Sequence, residues 1–142
     1  MSLFPVPAPD QIGEPFWAAV AERRLTVQRC PACREWTWQP KPVCPACGSP
    51  DLTWEAVSGR ATVCSWTTPR PPVLPAFESL VPFVVLLVEL DEGVRMVGQL
   101  VGDAGDLLRT DGTDVTFSIG TRVTLRWRDQ DGQWLPSWAV DR

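Results

Sequence analysis

Two cysteine pairs, Cys30-Pro31-Ala32-Cys33 and Cys44-Pro45-Ala46-Cys47, stand ten residues apart in a chain of 142. A C-x-x-C turn directs two sulfurs towards one point, and a hairpin between two such turns lets four sulfurs close a tetrahedron. Zinc suits this set because it imposes no d-electron geometry and binds thiolates strongly. Four protein ligands leave no open position for an activated water, so the expected role is structural and metal catalysis is disfavoured. Iron in the same four sulfurs is a competing reading that spacing alone does not separate from zinc. Two disulfides are a further one, disfavoured in a reducing compartment. Cys64 lies outside the pattern and is expected to be a buried, inert thiol. With no histidine in the chain, the imidazole base and the Ser/His/Asp and Cys/His arrangements are excluded. Glu78, Glu89 and Asp91 are the carboxylates left for an acid–base alternative, and their spacing has no special pattern.

The elements around the cysteines must hold them. Leu25–Gln28 and Glu35–Trp38 alternate enough to be short strands flanking the first cysteine turn, and Gly48 relieves backbone crowding after the last cysteine. Arg29, Arg34 and Lys41 are close enough in sequence to offset the charge of four thiolates. Before them, Pro5, Pro7 and Pro9 make residues 1–12 an extended arm. A helix then starts near Gly13–Pro15 and runs to about Arg24, with Pro15 tolerated in its first turn. Phe16, Trp17 and Val20 form its apolar stripe. That stripe either packs on its own protein or, being more than a short helix can bury alone, forms part of a subunit contact.

The rest of the sequence is sheet-rich. Strands are expected over residues 53–57, 61–68, 83–90, 94–100, 122–128 and 134–140, with tight turns at Asp91-Glu92-Gly93 and Gln130-Asp131-Gly132. This pattern favours a mainly β fold with a small, partly open barrel over parallel α/β architecture. The proline-rich stretch 69–82 reads as a shaped surface loop. Three parts follow: an arm and helix over residues 1–24, a metal ribbon over 25–52 and a barrel domain over 53–142.

Composition limits the partners. Thirteen Lys and Arg against 17 Asp and Glu give a formal charge of −4, which lacks the positive field of non-specific nucleic-acid binding. Single-stranded nucleic-acid binding therefore stands only as the alternative function. The longest apolar run, residues 83–88, is far below the roughly 20 needed to cross a bilayer. No membrane association is expected, and the cytoplasm is the natural compartment.

The segments GEPFWAAVAERRLTVQRCPACREWTWQPKPVCPACGSPDLTWEAVSGRATVCSWT, VPFVVLLVELDEGVRMVGQLVG and IGTRVTLRW resemble the acyl-CoA-associated family that joins an N-terminal helix, a rubredoxin-like zinc ribbon and a C-terminal OB-fold. The resemblance covers roughly residues 13–140. It implies a non-catalytic accessory subunit that binds a thiolase-fold enzyme, a thiolase or an acyl-CoA aldolase, and helps accommodate acyl-CoA. A hydratase-like or synthase partner joins some such complexes. By the same resemblance Cys30, Cys33, Cys44 and Cys47 are the zinc ligands, and Phe16, Trp17 and Val20 lie on the partner-facing helix. Ser58, Gly59 and Arg60 open the barrel, and Pro75, Ala76 and Phe77 belong to its long loop. For CoA itself, Arg60 and Arg70 are the candidate phosphate contacts, and Pro71, Pro72, Pro75 and Phe77 a stiff apolar wall. Ala61 and Cys64 depart from the family, where a glycine and an aromatic are common, and the loop lacks the family's histidines.

Overall fold

The computed structural model describes residues 4–142. Its single α-helix among these residues, α1 (Glu14–Ala21), begins where Asp10 Oδ1 accepts the Gly13 N–H at 2.6 Å. It buries Phe16, Ala19 and Val20, spaced three and four residues apart along one face. The helix stops earlier than the sequence pattern predicts. Arg23 turns left-handed at φ 57°, its N–H bonds to Val20 O at 2.8 Å, and the Arg24 N–H reaches back to Ala19 O at 2.9 Å. That pair of bonds is a Schellman closure, which satisfies carbonyls a helix end would otherwise leave open.

Three short strands follow in one antiparallel sheet of order β2-β1-β3: β1 (Thr26–Arg29), β2 (Trp36–Thr37) and β3 (Thr53–Ala56). The run at residues 53–57 thus pairs with the ribbon, Val27 opposite Glu55 and Arg29 opposite Thr53. Five longer strands make a second sheet of order β6-β5-β4-β7-β8, from β4 (Arg60–Thr67), β5 (Val85–Leu90), β6 (Arg95–Gln99), β7 (Arg122–Gln130) and β8 (Gln133–Val140). Its edges curl towards each other and meet at a parallel bridge between Leu100 and Trp138, where Val101 N–H bonds to Trp138 O at 3.0 Å. The result is the partly open barrel expected of an OB-fold.

Turn chemistry sets the register of the two hairpins. Asp131 and Gly132 both take positive φ, 51° and 87°, in a two-residue loop between the paired Gln130 and Gln133. This is the backbone handedness that matches twisted antiparallel strands. Gly93, at φ 97°, performs the same service after Leu90 in the β5–β6 turn. On β4 the register slips between Val63 and Ser65, a bulge that leaves Cys64 half-buried and its thiol near Thr62 O at 3.8 Å. The expectation of a buried Cys64 is corrected accordingly: Ala61 and Val63 take the inward positions of β4, so Cys64 falls on the outer face with Thr62. Residues 69–82 form no strand and contain one 3-10 turn, Pro75–Phe77.

One continuous core joins the parts. Phe16 and Val20 from α1, Leu25 and Val27 from the ribbon, and Val63, Leu86, Val88 and Trp138 from the barrel belong to a single buried cluster. Trp138 has no exposed surface, and burial of a large apolar side chain is worth about 2–3 kcal/mol. Gly98 on β6 makes room for it, since a Cβ there would lie 2.7 Å from the indole and 2.9 Å from Pro136 O. Gly98→Ala should therefore destabilise the fold by about 1–3 kcal/mol through overpacking, read as a lower urea midpoint. An unchanged midpoint would show that β6 is looser against β8 than described.

Candidate metal centre and the surfaces around it

The two cysteine turns are built alike. Arg34 N–H bonds back to Cys30 O, and Gly48 N–H back to Cys44 O, each at 2.8 Å. Both turns demand a left-handed residue directly after the second cysteine, met by Gly48 at φ 80° and by Arg34 at φ 71°. Glycine takes that conformation without cost, whereas a residue with a Cβ loses roughly 1–2 kcal/mol there. Gln28, 4% exposed in the middle of β1, fastens the intervening loop by bonding both Lys41 N (2.7 Å) and Lys41 O (2.9 Å).

These turns bring the four Sγ atoms within 4.8 Å of one another. Cys30 and Cys47 approach to 3.6 Å, as do Cys33 and Cys44. A tetrahedron with metal–sulfur bonds of about 2.3 Å has edges of about 3.8 Å, so the two close pairs already stand near the spacing zinc requires and the others exceed it by about 1 Å at most. All five cysteines are free, and separations of this size are far longer than a disulfide bond of about 2 Å.

Backbone N–H groups tune the sulfurs. The N–H of Cys33, helped by that of Ala32, holds the Cys30 thiol down to about 6 against the desolvation of its burial. At Cys33 the Glu35 N–H favours the thiolate, yet burial and the three neighbouring thiols push the group up to about 12. Cys47 also rises, because Cys30 and desolvation outweigh the Ser49 N–H. Four thiolates cannot crowd together unaided, and a dication bound among them would supply the missing charge. Arg29, expected to help, is engaged elsewhere: its guanidinium lies 4.7 Å over the Trp36 ring and bonds to Arg34 O at 3.0 Å.

The other residues singled out from sequence are dispersed. Phe16 (3% exposed) and Val20 (0%) point into the chain's own core, leaving Trp17, half-buried, as the member of that trio with surface to offer. The Phe16 ring packs against Trp17, Trp38 and Trp54 at centroid distances of 5.1, 4.7 and 6.3 Å. This cluster binds helix to ribbon. Arg60 opens β4 and Arg70 follows its far end, so an eight-residue strand of about 23 Å separates them. Arg70 pairs with Asp111 at 3.7 Å, and Phe77 is held between the rings of Phe4 (5.2 Å) and Phe83 (6.2 Å).

Sequence reasoning missed a groove of about 590 Å³ where arm, helix, ribbon and barrel converge. Trp17, Trp38, Met96, Val97, Leu135 and Pro136 line it. Its size lies within the range of ligand pockets, and its walls are mainly apolar. Val97, 65% exposed on β6, is the strongest local signal, an apolar residue on the outward face of a strand.

Four cysteines in a short antiparallel ribbon, followed by a five-stranded barrel, define a zinc-ribbon and OB-fold protein. The chain matches the ChsH2 rubredoxin-like zinc ribbon domain over residues 17–53 and the ChsH2 C-terminal OB-fold domain over residues 54–128, and it belongs to the ChsH2 family. It is similar to a probable enoyl-CoA hydratase alpha subunit of Thermomonospora curvata, at 39% identity over 92% of this chain and 37% of the relative. It is also similar to the 3-oxo-4,17-pregnadiene-20-carboxyl-CoA hydratase alpha subunit of Mycobacterium tuberculosis, at 39% identity over 61% of this chain and 27% of the relative. The chain thus spans well under half the length of these two curated relatives. Among solved structures, one described as "Ltp2-ChsH2(DUF35) aldolase" superposes with a TM-score of 0.80 at 36% identity, covering 95% of this chain and 98% of that one. A DUF35 protein from Sulfolobus solfataricus shares the fold, with a TM-score of 0.59 at 13% identity over 92% of this chain and 86% of that one. No helix among the described residues is long and apolar enough to cross a membrane.

Two measurements test the metal centre. Elemental analysis of the purified chain should find roughly one zinc per molecule, lost on Cys30→Ser or Cys44→Ser; full folding of metal-free protein would refute the site. Arg34→Gly should stabilise the metal-loaded chain by about 1 kcal/mol and Gly48→Arg should destabilise it by at least as much, both read from urea unfolding.

Proposed function

We propose that this chain is a non-catalytic accessory subunit: it binds a thiolase-fold enzyme, a thiolase or an acyl-CoA aldolase, and helps accommodate that enzyme's acyl-CoA substrate. The observation that carries the reading is the near end-to-end likeness to a chain of an assembly described as "Ltp2-ChsH2(DUF35) aldolase". The hydratase subunits among its relatives are named for CoA-thioester chemistry, which supports the same substrate class.

The chemistry of the chain agrees. A closed set of four sulfurs serves as a structural zinc site and offers no position for substrate. Free thiolate ligands fit a reducing, cytoplasmic compartment. The apolar groove gives a partner something to grip, with Trp17 and Trp38 presenting large rigid faces on one side and β6 and β8 on the other. Phe16 and Val20 contribute from behind, by fixing the helix that carries Trp17.

Native isolation should recover the chain with a thiolase-fold enzyme, whose activity falls when the chain is withheld. Trp17→Ala should weaken that association by about 2 kcal/mol at unchanged zinc content; the lost ring contact with Phe16 should also lower the unfolding midpoint, so binding is compared at a temperature where the variant remains folded. A thiolase-fold enzyme from the same cell that is fully active alone, and that never copurifies with this chain, would defeat the reading.

A further inference from the structure

The outward face of the barrel on the side of β7 carries a basic cleft in an acidic protein. It encloses about 650 Å³, and among its lining residues Arg60, Arg122, Arg126 and Arg142 stand against two carboxylates, Asp103 and Asp141. The chain as a whole has a formal charge of −4, so a cleft whose lining holds more arginines than carboxylates departs from its average. Strand alternation explains the clustering. Val123 is buried on the core side of β7, which turns its neighbours Arg122, Thr124 and Arg126 outward. Arg60 lies directly opposite Thr124 on β4, while Ala61 beside it points inward. Arg122 and Arg126 are therefore the two diagonal neighbours of Arg60, about 7–8 Å away along the sheet, within reach of long side chains.

Each carboxylate of this surface has a hydrogen-bond partner, and Asp141, held only by a hydroxyl, keeps its charge beside Arg122. Asp91 takes both branches of Arg122, at 2.7 and 3.1 Å, Asp103 pairs with Arg142 at 2.7 Å, and Thr124 Oγ1 bonds to Asp141 at 2.5 Å. Among the described residues Arg126 donates only to main-chain carbonyls, those of Asp103 (3.0 Å) and Leu125 (2.9 Å). The Arg60 guanidinium makes no hydrogen bond and no ion pair among the described residues, although its field reaches Asp91. Two guanidiniums facing one cleft thus lack a carboxylate partner, with a third held in a fixed orientation beside them. Planar, multiply donating cations in this arrangement match the oxygens of a phosphate group.

We infer that this cleft binds a phosphate-bearing ligand, with the phosphate seated between Arg60 and Arg126 and flanked by Arg122. The site stands on its own geometry; it rests on the proposed function only where the ligand is identified as coenzyme A. Such a site on the outside of the barrel would hold the charged end of a ligand whose uncharged remainder extends away from the sheet.

The test is titration of the purified, zinc-loaded full chain with inorganic pyrophosphate and, separately, with coenzyme A, by calorimetry and by amide shifts around Thr124. Saturable pyrophosphate binding should weaken at least tenfold in Arg60→Gln and in Arg126→Gln. It should weaken with rising salt, and stay unchanged in Arg95→Gln, a charge removed from the cleft. Unfolding midpoints of all three variants keep loss of binding distinct from loss of fold. Absence of saturable binding to either probe, or equal binding by the Arg60 and Arg126 variants, overturns the inference. Coenzyme A binding tighter than pyrophosphate through the same two arginines supports the site and the acyl-CoA reading together. Pyrophosphate binding with coenzyme A no tighter supports the phosphate site and removes coenzyme A as its ligand, leaving partner association to be judged separately.

Discussion

The structure depends on four sulfur atoms being drawn to one centre. Strands β1, β2 and β3 have four, two and four residues, too little sheet to stand alone in water. Apart from the cysteines, the ribbon buries few apolar side chains, chiefly Leu25 and Val27. A metal shared by both turns would replace the missing core. It fixes the return path that sets β3 against β1 and lets Gln28 clasp the backbone of Lys41 from both sides. It also places Trp38 and Trp54 where the ring of Phe16 can meet them. The helix is thereby anchored to the ribbon on one side and to the barrel core on the other.

Local features of this arrangement were legible in the sequence. The cysteine spacing acts over a few residues, and so does the Asp131-Gly132 turn, whose chemistry admits one hairpin geometry. Alternation along residues 61–68 and 122–128 located two barrel strands, because one buried face imposes a period of two, and the strand-length apolar run at 83–88 located a third. Pairing choices were not legible. The strand at residues 53–57 looks the same from sequence whether it joins the ribbon or the barrel, and only the metal-set chain path decides. Arg23 hid the helix end, since nothing about an arginine advertises left-handed backbone, and Arg34 for the same reason hid the left-handed residue that closes the first cysteine turn. Gln28 read as an ordinary polar strand residue, because its partner lies 13 positions away. The groove was invisible because its walls come from residues as far apart as Ala8 and Pro136.

Charge follows a similar rule. Net charge weighed against nucleic acid as a partner, and the sum is sound for a field felt from a distance. It says nothing of a strand that places Arg122 and Arg126 on one face while Val123 and Leu125 take the other. Global acidity and a local basic cleft coexist because the period of a β-strand sorts residues that a count averages.

The groove has one further consequence. Its rim is borrowed from four pieces of chain that have no common surface until the arm, helix, ribbon and barrel are all in place. A molecule whose ribbon has not closed would carry every one of the residues and present none of the shape. The shape of that rim is therefore a report on whether the ribbon has closed.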